Sequence, residues 1–361
     1  MKLLIVTQAV DTEDPVLGFF CRWVEEFAKH AESIEVICLK EGKHGSLPAN
    51  VCVHSLGKER ETAENATIYR SVLRRLRYAI RFKLLAWRLR RDYDNVFVHM
   101  NPEYVVIAGP MWRLFGKRIG LWYVHKSVDM KLRIAALFSD DIFTAAPESF
   151  RLATPKLHVV GHGIDTKEFH APVRPLSTPV RIVSVGRITS IKNLDTLIEA
   201  VALLAGNGVA VTATLIGAPG NASDEAYRAS LKELAAERGV SDRVIFAESV
   251  SHAQMPEQYR HFDISVNLAP TGGLDKAVLE SMAAGLLTFV SNRGFAELLS
   301  THAEALIFPE KDAAACADRI AAFVRHPEAA EQVRADLQQR AETMSVQALI
   351  PRILSFYGEN R

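Results

Sequence analysis

Residues Thr271 to Gly285, TGGLDKAVLESMAAG, combine the side chains and spacing that seat an anion beside a carboxylate. They follow the apolar run ISVNLA and precede LTFVSN, so the stretch reads as strand, glycine turn, helix and strand. The turn bares backbone N–H groups, the helix from about Asp275 adds the positive end of its dipole, and Glu280 stands one to two turns in. Unpaired N–H donors suit phosphate oxygens, and a carboxylate accepts from sugar hydroxyls. A nucleoside diphosphate carrying a sugar needs both. The bland alternative is an ordinary strand-to-helix connection, because Gly-Gly before a helix is common in α/β proteins.

Two further predicted strand ends carry compatible chemistry. VRIVSVG runs on into RITSIKN, where Arg187 and Lys192 flank a short loop that opens a helix. A guanidinium fork and an ammonium point charge there would clamp a diphosphate; a solvated charge pair is the alternative. VTATLIG runs into APGN, where Gly217 and Gly220 let backbone approach a ligand closely. Ligands of open α/β sheets bind at the carboxyl ends of the strands, so three such loops in one domain point the same way. Nicotinamide binding is disfavoured, since neither LLIVTQ nor VRIVSVG is followed by the G-x-G-x-x-G turn a dinucleotide requires.

The elements that must position these loops are short apolar runs alternating with helical patterns, the mark of parallel sheets covered by helices. In the first half the predicted strands are LLIVTQ, IEVICL, VCVHSL, NVFVHM, IGLWYV and DIFTAA; in the second, VRIVSVG, VTATLIG, RVIFAES, ISVNLA, LTFVSN and ALIFPE. The Pro-rich KEFHAPVRPLSTPV between them reads as a linker. The expected architecture is two Rossmann-like α/β domains facing each other across a cleft: 1–172, 173–342, and a C-terminal helix over 343–361 that packs back on the first domain and is interrupted by Pro351. A length of 361 residues favours two cores over one, and 48% hydrophobic with 24% charged residues is ordinary for a soluble protein.

The net charge of +1 hides an uneven distribution: residues 1–174 hold 26 Lys/Arg against 20 Asp/Glu, and the remainder 17 against 22. A basic first half points to an anionic partner or to chance segregation of surface charge. Cys21, Cys38, Cys52 and Cys316 form no CxxC pair and have no His at metal spacing, so neither a zinc site nor a disulfide framework is indicated, and a reduced cytoplasm fits. MKLLIVTQAVD reads as a first strand rather than a signal peptide, and no segment approaches the ~18 apolar residues of a membrane span.

The order VGRITSIKNLDTLIEAVALL, TLIGAPGN, SDRVIFAESVSHAQMPEQYRHFDISVNLA and GGLDKAVLESMAAGL resembles the donor domain of family 4 glycosyltransferases, retaining enzymes of the GT-B fold. HVVGHGIDTKEFH resembles that family's N-G-V-D-x-x-x-F segment, with His162 in place of Asn. The resemblance spans roughly residues 95 to 310 and is specific to the family, not to a substrate. It implies a hexosyltransferase-type enzyme that moves a sugar from a nucleoside-diphosphate-sugar donor to a saccharide or lipid-linked acceptor, in cell-surface polysaccharide or glycolipid assembly. Arg187 and Lys192 match the basic pair that holds the diphosphate, and Glu280 matches the second Glu of the Glu-x7-Glu motif, which contacts the ribose. The first Glu falls on Gly272, a departure that shifts sugar recognition to the N–H groups of Gly273 and Leu274, or to Asp275. The implied donor set is Gly186, Arg187, Lys192, Gly217, Gly272, Gly273, Leu274, Asp275, Lys276 and Glu280.

In the first domain, LWYVHKSVDMKLRIAALFSDDIFTAAPESF resembles the segment whose histidine lies near the anomeric centre, which makes His125 the candidate. With Arg187, Lys192 and Glu280 it completes the expected catalytic set. His99, ending NVFVHM and followed by Asn101, is a second candidate, with a core position as its alternative. Acceptor binding is expected at Asp11, Gly18, His99 and Asn101. No cofactor and no metal are expected, because the cations would stabilise the departing diphosphate. Arg70 to Arg91, RSVLRRLRYAIRFKLLAWRLRR, holds nine Lys/Arg and no acid. On a helical wheel Arg70, Arg74, Arg77, Arg81 and Arg88 form one stripe beside Leu73, Leu76, Ile80, Leu84 and Trp87. Such a helix lies either on an anionic bilayer, giving a cytoplasmic protein peripheral to the inner face of a membrane, or on its own sheet with one wetted stripe. No nucleic-acid partner is expected. The competing readings are a nucleotide-sugar epimerase or hydrolase on the same fold, and a non-catalytic nucleotide-sugar-binding protein, the latter motivated by Gly272.

Overall fold

The β-branched and aliphatic runs form twelve strands among the described residues of the computed structural model, which are 1–14, 16–60 and 68–358, with side chains of 68–72 excepted. The chain divides into two units, Met1–Gly163 with Val346 onward, and Ile164–Ser345.

The first unit holds β1 (Lys2–Val10), β2 (Ser33–Glu41), β3 (Val51–Ser55), β4 (Asn95–His99), β5 (Arg118–Trp122), β6 (Asp141–Thr144) and β7 (Leu157–Val159). All pair in parallel, in the order β3-β2-β1-β4-β5-β6-β7. Both faces are covered, which is why β1 and β4 are near-continuous apolar runs rather than alternating ones. On one face Leu3, Ile5 and Phe97 pack with Trp23 and Phe27 of the helix Phe20–Ala28 and with Leu349, Ile350 and Ile353 of the helix Val346–Gly358. On the other, Leu4, Val6, Val96 and Val98 meet Phe82 of the helix Ile68–Arg88 and Trp112 of the helix Pro102–Leu114.

The last helix is therefore part of the first core. Its Tyr357 hydroxyl donates to the Val96 carbonyl at 2.8 Å, and a Cβ at Gly120 would lie 2.2 Å from that hydroxyl. The helix continues through Pro351, which sits exposed on its outer side.

The second unit holds β8 (Val180–Val185), β9 (Val211–Ile216), β10 (Val244–Ala247), β11 (Ile264–Asn267) and β12 (Leu287–Val290), parallel and ordered β10-β9-β8-β11-β12. Leu197, Val201 and Leu204 of the helix Leu194–Gly206, and Val278, Leu279 and Met282 of the helix Lys276–Ala283, seal the sheet. From β8 the chain crosses to β9, and from β11 it crosses the opposite way to β12. The carboxyl ends of β8 and β11 thus flank the point where strand order reverses.

Three expectations are corrected. The units divide at Gly163/Ile164 and Ser345/Val346, not at 172/173 and 342/343. KEFHAPVRPLSTPV is no free linker but is built into the second unit: Phe169 is buried, buried Arg334 donates to the carbonyls of Gly285 (2.6 Å) and Arg174 (2.5 Å), and Gln338 donates to Ala171 (2.7 Å). ALIFPE is not a strand; Ala303–Leu306 is helical and Ile307 makes one bridge to Val290, while Leu157–Val159 adds a strand whose brevity hid it.

The closing helix gives a stability prediction. Leu349 is fully buried against Trp23 and its neighbours. Leu349→Ala should lower unfolding free energy by about 3 kcal/mol through lost transfer and a residual cavity, read by denaturant titration; a loss under about 1 kcal/mol would mean the helix is not integral to that core.

Candidate functional site

In the second unit, the loops after β8, β9, β11 and β12 converge on the strand-order reversal. β8 is followed by Gly186 (φ +142°) and β9 by Gly217, where a Cβ would lie 2.0 Å from the Gly186 carbonyl oxygen. Glycine at 217 is demanded by the neighbouring loop, which passes against it. The Gly186 N–H donates to Ile216 O at 3.0 Å and fixes that approach. Gly220 plays the same part for Arg187, whose Cδ would lie 3.0 Å from a Cβ there. These glycines seat the loops on one another and set the path of Arg187, which is exposed and makes no hydrogen bond or ion pair among the described residues.

Lys192 reaches across the reversal point. Its Nζ lies 2.5 Å from Asp275 Oδ2, which also accepts from Asn267 Nδ2 at 3.0 Å, while Asp275 Oδ1 accepts the Ala277 N–H at 3.2 Å. Asp275 thereby caps the helix Lys276–Ala283 and anchors the cation. Burial pushes its carboxyl up, but Lys192, Asn267 and the Ala277 N–H together pull it below the ordinary value. Asn193, in the left-handed region (φ 46°, ψ 43°), donates from Nδ2 to Leu268 O at 3.1 Å, a second tie between the loops after β8 and β11.

The Thr271–Leu274 turn is held from behind by buried Asn292. Its Oδ1 accepts the N–H groups of Gly272 (3.2 Å) and Gly294 (2.8 Å), and its Nδ2 donates to Gly273 O at 3.1 Å. The Gly272 N–H is thus spent on the scaffold, whereas those of Gly273 and Leu274 have no acceptor among the described residues. They lead into the positive end of the helix. Glu280 is buried, and His252 Nε2 stands 3.2 Å from its Oε1. The carboxylate accepts, so His252 carries its proton on Nε2, and Glu280 Oε2 has no partner among the described residues. Lys276 is half-buried; loss of water around its ammonium lowers its pKa to about 7 against the pull of Glu280 and Asp275.

In the first unit, the ends of β1, β4 and β5 and the loops after them hold the remaining candidates. Asp11 is buried and committed: Oδ2 pairs with Lys40 Nζ at 3.0 Å and Oδ1 accepts the Glu13 N–H at 3.1 Å. Burial raises its carboxyl, and Lys40 with the backbone N–H groups outweighs this to leave it lowered. Gly18 is buried too, and a Cβ there would meet the carbonyl oxygens of Thr12 and Asp14 at 2.8 Å, so its close approach is to its own loop. His99 stacks on Phe20 (ring centroids 4.2 Å) with Trp23 edge-on at 5.8 Å, and is 2% exposed, which is the core position. Asn101 donates to His99 O at 2.9 Å and precedes the helix Pro102–Leu114. His125 differs: it is exposed just past β5, and its Nδ1 accepts the Ser127 N–H at 3.1 Å. The ring proton is therefore on Nε2, directed away from that bond.

The basic helix has two apolar faces. Phe82 and Ala86 are fully buried towards the sheet. The stripe named from the sequence is the other face: Leu73, Leu76, Ile80, Leu84 and Trp87 are 48%, 55%, 51%, 61% and 50% exposed. With Pro110, Met111 and Leu114 of the next helix and Phe115 just past its end, the lower part of this stripe lines an open groove of about 470 Å³. Arg74, Arg77 and Arg88 are exposed beside it, Arg90 lies 4.2 Å over the Trp87 ring, and Arg81 instead donates to Leu56 O at 2.8 Å. The Arg70 side chain lies outside the described residues. No helix among the described residues is long and apolar enough to cross a membrane.

Asn292, Asn267, Asn193 and His252 escaped the sequence reading, because a single Asn or His between apolar runs carries no spacing signal.

The lipopolysaccharide core biosynthesis mannosyltransferase LpsB of Rhizobium meliloti is 30% identical over 182 residues, 46% of this chain and 50% of LpsB. The amylovoran biosynthesis glycosyltransferase AmsK of Erwinia amylovora is 31% identical over 173 residues, 45% of this chain and 40% of AmsK. The chain spans about half the length of the curated relatives it matches. HepE of Anabaena, solved in complex with UDP, superposes with a TM-score of 0.75 at 14% identity over 100% of both chains, which shows the shared two-domain GT-B fold. The family described as Glycosyl transferases group 1 matches residues 165–343, the stretch that holds every loop of the second-unit site. That unit is thus similar to the group 1 glycosyltransferases.

Proposed function

We propose that this chain is a retaining, family 4 type glycosyltransferase that moves a sugar from a nucleoside diphosphate to a saccharide or lipid-linked acceptor, in cell-surface polysaccharide or glycolipid biosynthesis. The observation that carries this reading is the juxtaposition at one strand-order reversal of an unpaired guanidinium (Arg187), an ammonium (Lys192), the N–H groups of Gly273 and Leu274, and a carboxylate with one oxygen open (Glu280). The relatives act in lipopolysaccharide core and amylovoran biosynthesis, and HepE holds UDP.

Each group has one task in this account. Arg187 forks onto the diphosphate, and Lys192 exchanges its Asp275 partner for a phosphate oxygen. Asp275 stays satisfied by Asn267 and the Ala277 N–H during that exchange. Glu280 Oε2 accepts from ribose hydroxyls while His252 holds Oε1. As the bond from sugar to phosphate breaks, negative charge grows on the departing diphosphate, where both cations and the helix N-terminus stabilise it, with no metal ion assigned to the step. The acceptor hydroxyl attacks the same face of the sugar and gives its proton to the departing phosphate oxygen. Acceptor binding is assigned to the first unit, where exposed His125 offers its Nε2–H to a sugar hydroxyl; in this tautomer the ring orients rather than takes a proton. The exposed stripe from Leu73 to Trp87 and its flanking cations we assign to an anionic membrane surface, at the cytoplasmic face, each nearby cation contributing about 1 kcal/mol.

A panel of nucleoside-diphosphate sugars, offered with saccharide and lipid-linked acceptors, tests the activity. Transfer should appear with one donor, and Lys192→Ala and Glu280→Gln should each lower kcat/KM by about 100-fold or more with unchanged circular dichroism. Wild-type rates in both variants would refute the site, and nucleotide release that never requires an acceptor would favour a hydrolase. Flotation with vesicles tests the surface: binding should require anionic lipid, weaken with salt, and be lost in the Leu84→Glu/Trp87→Glu variant. Equal binding by that variant would remove the helix from the account.

A further inference from the structure

Three metal-ligating side chains stand together on the edge of the first sheet, outside the second-unit site. In the parallel pairing of β2 with β3, Glu35 faces Cys52 and Ile37 faces His54. Side chains two apart in a strand share a face, so Cys52 and His54 project on the same side as Glu35. The three donor atoms, a carboxylate oxygen, a thiol sulfur and an imidazole nitrogen, lie within 4.8 Å of one another. Glu35 and His54 are half-buried and in contact, Oε2 to Nε2 at 2.5 Å. Cys52 is exposed, and its thiol makes no hydrogen bond among the described residues.

We propose that Glu35, Cys52 and His54 form a binding site for a transition-metal dication of the zinc class. The donor set selects the ion: thiolate and imidazole are ligands for Zn²⁺ and its neighbours, whereas Mg²⁺ and Ca²⁺ take oxygen. Donors about one tetrahedral ion with bonds of about 2.0 to 2.3 Å stand about 3.3 to 3.8 Å apart, so binding opens the Glu35–His54 contact and draws the Cys52 sulfur inward, within reach of side-chain rotation. The proton of the Cys52 thiol leaves to solvent and the imidazole proton of His54 rests on Nδ1, so that Sγ, Nε2 and the Glu35 carboxylate turn to the metal. Three protein ligands leave a fourth position open towards the exposed side of Cys52, for water or an outside ligand. The other cysteines offer no rival, since Cys21, Cys38 and Cys316 are buried. Bound metal would tie the edge strand β3 to β2.

In the sequence these residues appear as Cys-Val-His on one strand and a lone Glu seventeen positions earlier than Cys52, a spacing that becomes a site only once the strands are in register. The site is independent of the transferase reading, and loss of either leaves the other standing.

Cobalt(II), titrated into the reduced full-length chain, supplies the test. One equivalent should bring up a thiolate-to-cobalt charge-transfer band and the strong visible bands of a four-coordinate ion. Cys52→Ser should abolish the charge-transfer band, and Glu35→Gln and His54→Gln should each weaken binding by about tenfold or more. Circular dichroism of the metal-free variants establishes that they keep the fold. No charge-transfer band in the parent chain, or one that survives Cys52→Ser, overturns the proposal. So does unchanged cobalt affinity in both Glu35→Gln and His54→Gln, which would leave only a solitary thiol capturing metal.

Discussion

The contact of Lys192 with Asp275 spans the place where the second sheet changes direction, and the candidate site is organised around it. One residue leaves the end of β8 and the other opens the helix after β11, so their pair fixes the separation of the two loops. Asp275 serves three donors at once: the cation, Asn267 and its own helix. That is why the ammonium can be kept ready at a half-buried position without a bound anion. A lone lysine there would swing into water, and a lone buried carboxylate would be costly. The backbone completes the frame, since the Gly186 and Gly217 loops approach too closely for any side chain at 217.

The same logic separates residues that hold the site from residues that face a ligand. Asn292, nearly inaccessible, consumes the Gly272 N–H and a Gly273 carbonyl, leaving the next two N–H groups for an anion. His252 occupies one oxygen of Glu280 and leaves the other. In the first unit the balance is reversed for most candidates. Asp11 is satisfied by Lys40, Gly18 by its own loop, and His99 is enclosed by Phe20 and Trp23. His125, exposed and with its tautomer set by the Ser127 N–H, is the candidate there that remains turned outward.

Much of this was legible in the residues. Continuous apolar runs such as NVFVH announce strands covered on both faces, and eleven of the twelve described strands overlap an apolar run, the half-exposed edge strands β3 and β10 among them. Gly, Lys and Arg at strand ends mark the anion-binding loops because backbone access and charge are local properties. What stayed hidden depends on tertiary placement. The basic helix carries apolar residues on two sides, and periodicity alone did not reveal that Phe82 and Ala86 face the core while Leu73 to Trp87 face outward. ALIFPE has the composition of a strand but no neighbour with which to pair beyond Val290. Glu35, Cys52 and His54 meet only through strand register.

The central claim is that the loops after β8 and β11 hold a nucleoside diphosphate through Lys192, Arg187 and Glu280. Titration calorimetry with UDP, GDP and ADP in turn tests it most directly, because it needs neither the sugar nor the acceptor to be known. The account predicts that one of them binds with a single site, and that Lys192→Ala and Glu280→Gln each weaken that binding by about tenfold or more, the worth of one charge-assisted hydrogen bond. Binding of equal strength in both variants, or by none of the three diphosphates to the parent chain, would contradict it.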